Sequence, residues 1–128
     1  MRSLFLVAAL AASVANFPAS ACDFGGVEMV RAELLFGRSA VTAAEWEDFL
    51  AHSVTPRFPD GLTVLDGQGQ WLSPNSGRIS HEASTVLLIL ATPAPDLKAR
   101  LDAVREDYKT RFHQQSVGLI TSPSCAEF

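Results

Sequence analysis

The chain has 128 residues and a formal net charge of −4, a length that suits one domain. Its 48% hydrophobic and 19% charged content excludes an intrinsically disordered chain, which buries too little apolar surface to offset the entropy of ordering. Its arginines are scattered and form no basic stripe, which argues against nucleic acid as a partner.

Met1-Arg2-Ser3 supplies one positive charge, and Leu4 to Ala15 is almost wholly apolar. That run of about twelve residues suits the apolar core of a secretory signal and is short of the roughly twenty that span a bilayer. Phe17-Pro18 breaks the helix, and Ala19-Ser20-Ala21 offers the small-x-small pattern that a signal peptidase reads. The expected organisation is a signal peptide over 1–21 and one domain over 22–128, exported to the periplasm or secreted. Removing 1–21 takes away Arg2 and no acidic residue, so −4 becomes −5. Cleavage after Ala21 leaves Cys22 first, which opens a second reading in which Cys22 is lipidated and the protein is anchored in the envelope. Ala19 stands where a lipoprotein signal carries a larger aliphatic residue, which weighs against it.

Val30, Ala32, Leu34 and Phe36 alternate with Met29, Arg31, Glu33 and Leu35, so Val27–Phe36 reads as a strand with one apolar face. Thr42-Ala43-Ala44-Glu45 is a capping box, with Val41 and Trp46 at the hydrophobic-staple positions. Trp46, Phe49, Leu50 and Val54 follow at helical spacing until Pro56 ends the run. Phe58-Pro59-Asp60-Gly61 is a turn. Leu62–Leu65 opens a second strand, continued through Gln70-Trp71-Leu72, with a bulge or close backbone approach expected at Gly67 and Gly69. After the turn Ser73–Gly77, a hairpin returns over Arg78–Ala83. Val86–Ala91 is uniformly apolar and predicts a central strand buried on both faces. Leu97, Leu101, Val104, Tyr108 and Phe112 fall at steps of three or four, so Asp96–Phe112 reads as an amphipathic helix. Val117–Ile120 is the expected last strand, closed by Ser122-Pro123.

The order β-α-β-β-α-β, with right-handed crossovers, predicts an α+β ferredoxin-like fold: a four-stranded antiparallel sheet with both helices on one face. In it the last strand lies antiparallel beside the first. Cys22 precedes the first and Cys125 follows the last, so the fold itself brings the two thiols to one rim, where an oxidising compartment lets a disulfide persist. Closing a loop of about a hundred residues stabilises by up to about 4.7 kcal/mol on the chain-entropy account. A bridged Cys22 has no sulfur left for a lipid.

Several stretches together resemble a bacterial family known as a domain of unknown function, number thirty-five seventy-four. They are Arg31-Ala32-Glu33-Leu34-Leu35-Phe36-Gly37, Glu45-Trp46, the run Val54 to Val64, Gly69-Gln70-Trp71, Ser76-Gly77-Arg78, Phe112 to Val117 and the closing Cys125-Ala126-Glu127-Phe128. The resemblance implies an exported or lipid-anchored protein and brings no activity, cofactor or catalytic residue with it.

No motif fixes a reaction. His81-Glu82 begins like a zinc-helix signature, but Thr85 stands where the second histidine belongs and the segment reads as strand, so neither it nor His52 and His113 predicts a metal. Gly67-Gln68-Gly69 lacks a third glycine and a following helix, no serine sits in a nucleophile elbow, and no cofactor is implied. Two pairs remain as binding candidates. Arg31 and Glu33 point to the sheet's open side, and Arg57 and Asp60 stand in the Pro-rich turn, where Arg57 binds an anion or simply pairs with Asp60. An open side with an apolar centre between charged flanks predicts a cover, either a second copy in a two-fold dimer or another partner, or else a concave pocket for a small molecule. The pocket reading makes the protein an enzyme or sensor, with His81 or His113 joining Arg31 and Glu33 there. The leading expectation is a non-catalytic binding or assembly module of the envelope.

Overall fold

A computed structural model describes residues 22–128; the expected signal segment lies outside the described residues. Strand β1 (Val27–Gly37) keeps the alternation read from its sequence. Ala32, Leu34 and Phe36 are buried, while Arg31 and Leu35 stay exposed. Helix α1 (Ala43–Phe49) starts at Thr42 with a complete capping box. The Glu45 amide donates to Thr42 Oγ1 at 3.3 Å, and the Thr42 amide donates to Glu45 Oε2 at 2.9 Å. That amide, more than any other group, holds the Glu45 carboxyl below the ordinary carboxylate range. Val41 and Trp46 are both buried in the core, as a hydrophobic staple requires.

The helix does not run evenly to Pro56. Leu50–Val54 forms a π-helical turn in which the Thr55 amide donates to the Leu50 carbonyl at 2.9 Å. Val54 is fully buried within that wider turn. Strands β2 (Thr63–Leu72) and β3 (Ile79–Ala91) form the central hairpin, α2 spans Leu97–Phe112, and β4 runs Gly118–Ala126. The sheet order is β2-β3-β1-β4, antiparallel throughout. This is the ferredoxin-like α+β arrangement, with both helices on one face.

The core lies between that face and the helices. Leu34, Phe36, Leu87 and Ile89 from the sheet meet Phe49, Leu101, Val104 and Tyr108 from the helices. Phe36 is its centre: the rings of Trp46, Phe49 and Tyr108 approach it edge-on at 5.2, 5.9 and 4.6 Å between centroids. Tyr108 is fully buried, and its hydroxyl donates to the Gly37 carbonyl at 2.6 Å. Burial raises its pKa to about 12.

Four local expectations differ from the structure. The returning hairpin strand and the central strand are one thirteen-residue strand, β3. Gly67 and Gly69 pair in unbroken register with Ser84 and Glu82, so there is no bulge. Val86, Leu88 and Leu90 are only half-buried, because among the described residues no layer covers the sheet's second face. The last strand continues through Pro123, which sits opposite Val30. β4 is an edge strand, and an edge tolerates the missing amide of proline.

One part of the sheet leaves the body. β1 pairs with β3 only from Ser84 to Ala91, and the Arg38 amide donates to the Ala83 carbonyl, so Ile79–Glu82 and Gly69–Leu72 pair with each other alone. This two-stranded arm carries Trp71, Leu72 and Ile79 exposed.

Candidate functional site

The register assigns the residues of the bare face. Arg31, Glu33 and Leu35 of β1 stand opposite Leu90, Leu88 and Val86 of β3. Those continue into Leu65 of β2 on one side, and β1 continues into Ile120 and Ser122 of β4 on the other. Arg31 Nε lies 2.7 Å from Glu33 Oε1, an ion pair on an apolar surface. Their side chains are 49% and 28% exposed, so the pair contributes at most about 1 kcal/mol to stability. Around it Leu35, Leu65 and Ile120 keep 41%, 50% and 54% of their surface in water. Chemically the face offers apolar contact and one self-satisfied charge pair.

Arg57 and Asp60 do not pair with each other. Arg57 Nη1 lies 3.0 Å from Asp107 of α2 and also donates to the Ser53 carbonyl. Its own carbonyl accepts from Arg100 Nη1 at 2.9 Å. Arg57 therefore ties the α1–β2 connection to α2, and the pairing expected within the turn gives way to a partner fifty residues away in sequence. Asp60 is exposed in the turn and borders a shallow hollow of about 260 Å³ with Leu88, Leu90 and Phe128 at a corner of the bare face.

The histidines do not join Arg31 and Glu33. His81 pairs with Gln70, one residue out of step with the bare-face set, so it lies on the opposite side of the arm. His113 caps α2 in the left-handed region, φ 52°, and borders Gly37 at the far end of β1 from Arg31. His52 lies in the π-helical turn after α1, beside Asp48. Among the described residues no group of three or more His, Cys, Asp or Glu is placed to hold a metal ion. Among them, too, no helix is long and apolar enough to cross a membrane.

Cys22 and Cys125 are bonded, with their Cα atoms 5.4 Å apart and 103 positions apart in sequence. Gly26 lets the chain reach that rim. Its φ is +82°, and a Cβ there would meet the Ala126 carbonyl oxygen at 2.5 Å. A periodicity reading could not have found Leu65 and Ile120 as bare-face neighbours of Arg31 and Glu33. Only strand order and register bring them together.

These features define the class: an α+β protein of ferredoxin-like topology with a disulfide at one rim and an open sheet face. The family model for "Protein of unknown function (DUF3574)" matches residues 31–128, and the chain belongs to that family. Among solved structures it is similar to a phage SAM lyase in complex with S-methyl-5'-thioadenosine, at 17% identity and a TM-score of 0.58, covering 81% of this chain and 94% of that one. It is also similar to CutA from Synechococcus elongatus, at 14% identity and TM-score 0.52, covering 77% and 80%. The periplasmic divalent cation tolerance protein CutA from Archaeoglobus fulgidus follows, at 9% identity and TM-score 0.50, covering 80% and 88%. At such identities the likeness is one of fold. No curated protein matches the chain.

Proposed function

We propose that the protein is an exported assembly module whose bare sheet face packs against a second copy of itself. The observation that carries this reading is the half-exposed set Leu35, Leu65 and Ile120 around the Arg31–Glu33 pair. Contiguous apolar surface of this kind is uncommon on a free monomer. A second copy suits it because the patch carries one charge of each sign. A two-fold axis through the face sets each Arg31 against the partner's Glu33, and apolar residues meet their equals. The Cys22–Cys125 bond supports export, since such bridges persist in oxidising compartments. It also occupies the sulfur that a lipid anchor needs.

The protein recovered from its host envelope tests both halves. Its intact mass should correspond to residues 22–128 less two hydrogens. Sedimentation should show a dimer that Leu65→Glu converts to monomer. An acylated Cys22, or a wild-type monomer at about 0.1 mM, well above the Kd of a micromolar interface, overturns the corresponding half.

A further inference from the structure

A second site lies on the other side of the sheet, where the arm leaves the body. Arg38 follows β1 directly and is half-buried. Its guanidinium lies over the Trp46 ring, 4.3 Å from the centroid. Nη1 donates to Thr85 Oγ1 at 3.1 Å, and that hydroxyl in turn donates to Asp66 Oδ1 at 2.9 Å. Thr85 is almost completely buried, so the orientations of both charged groups are fixed from below.

Among the described residues Arg38 nevertheless has no carboxylate at ion-pair distance. Of the nine Lys and Arg among the described residues, seven face a carboxylate at ion-pair distance. Arg78 does not, but it is exposed at the tip of the arm. Arg38 Nε is buried without a hydrogen-bond partner, and among the described residues Nη2 makes no hydrogen bond. Nη2 is left to offer a ligand carboxylate a charge-assisted hydrogen bond. Arg38 lines a cleft of about 590 Å³, a size usual for small-molecule sites. Val41, Leu50 and Val64 give the cleft apolar surface, while Asp66 and Glu47 place negative charge beside it.

We propose that this cleft binds a small apolar α-amino acid, with its carboxylate on Arg38, its ammonium on Asp66 and its side chain against Val41, Leu50 and Val64. A simple anion would gain Arg38 and be repelled by Asp66 and Glu47. A zwitterion satisfies both signs, and the Thr85 hydroxyl holds those two signs at a set separation. The stacked indole and the buried hydroxyl remove freedom from Arg38 before any ligand arrives, which lowers the cost of binding. The cleft is on the helix side of the sheet and is independent of self-association through the bare face.

Nitrogen–proton correlation spectra of the oxidised chain, titrated with L-leucine and L-phenylalanine to about 10 mM, test this directly. Saturable shifts are expected at the Trp46 indole and at the amides of Arg38, Asp66 and Thr85. N-acetyl-L-leucine lacks the ammonium and L-leucinamide lacks the carboxylate; each should bind about tenfold more weakly, the scale of one lost charge-assisted contact. Arg38→Gln should weaken L-leucine by a similar factor and abolish the difference between L-leucine and its amide. Asp66→Asn should do the same for the difference between L-leucine and its N-acetyl form. Absence of saturable shifts at Trp46, or equal binding of all three leucine compounds, overturns the proposal. If Arg38→Gln does not fold, the ligand series and Asp66→Asn decide the matter alone.

Discussion

The two faces of the sheet carry similar apolar side chains and meet opposite fates. Leu34 and Leu87 on one face lie under Phe49, Val104 and Tyr108 and are fully buried. Leu35 and Val86 on the other, one position along the same strands, meet no second layer among the described residues. A strand's period of two creates both faces at once, but the two helices can cover only one. Apolar residues on the uncovered side are therefore available for the self-association proposed for that face.

Mutations separate the faces. The largest effect is expected on the covered side: Phe49→Ala should cost about 3–5 kcal/mol in urea unfolding of the oxidised protein. Leu65→Ala on the bare side should cost no more than about 0.5 kcal/mol in dilute monomer, with a loss that grows with protein concentration if copies associate there. Equal costs at low concentration would mean that the bare face is sealed within one chain, and would break the comparison.

Next comes the rim that joins β1 to β4. Replacing Cys22 and Cys125 together by serine should lower stability by about 2–5 kcal/mol, read from the shift of the urea midpoint. The dispersed spectrum should survive, because the aromatic core around Phe36 does not touch the bridge. Loss of all structure would show that the covered face depends on the rim as well.

The smallest effect sharpens the contrast by pH. Tyr108 is the only tyrosine and lies wholly on the covered side, with a pKa of about 12 against an ordinary 10.0. Between those values the unfolded chain gives up the phenolic proton while the folded one keeps it. The unfolded state then binds fewer protons, so stability is intact below pH 10 and declines as pH rises toward 12. Ultraviolet titration should show tyrosinate appearing only near the upper value in the native protein. Ordinary ionisation at the lower value, with the fold intact, would place water at the Tyr108 hydroxyl.

Much of the fold is legible in local pattern. The Thr42–Glu45 capping box, the period-two alternation of β1 and the spacing from Leu97 to Phe112 each act over a few residues, and each forms as its residues dictate. The candidate sites were less legible. Arg57 finds Asp107 rather than its near neighbour Asp60, and Arg38 is held by Thr85, 47 residues away. Long side chains choose partners by distance in space, and sequence spacing carries no record of that distance. His81 failed as a bare-face group for a simpler reason, since one step along a strand reverses the side on which a residue stands.

The sequence by itself determined the order of elements and the rim where Cys22 and Cys125 meet, because strand and helix periods and right-handed crossovers leave few arrangements open. Tertiary structure decided how far β3 and β4 extend, which apolar face stays bare, and that Arg38 and Asp66 share one threonine. Those outcomes depend on pairing register and on what the helices cover, and both are settled only when distant segments pack together.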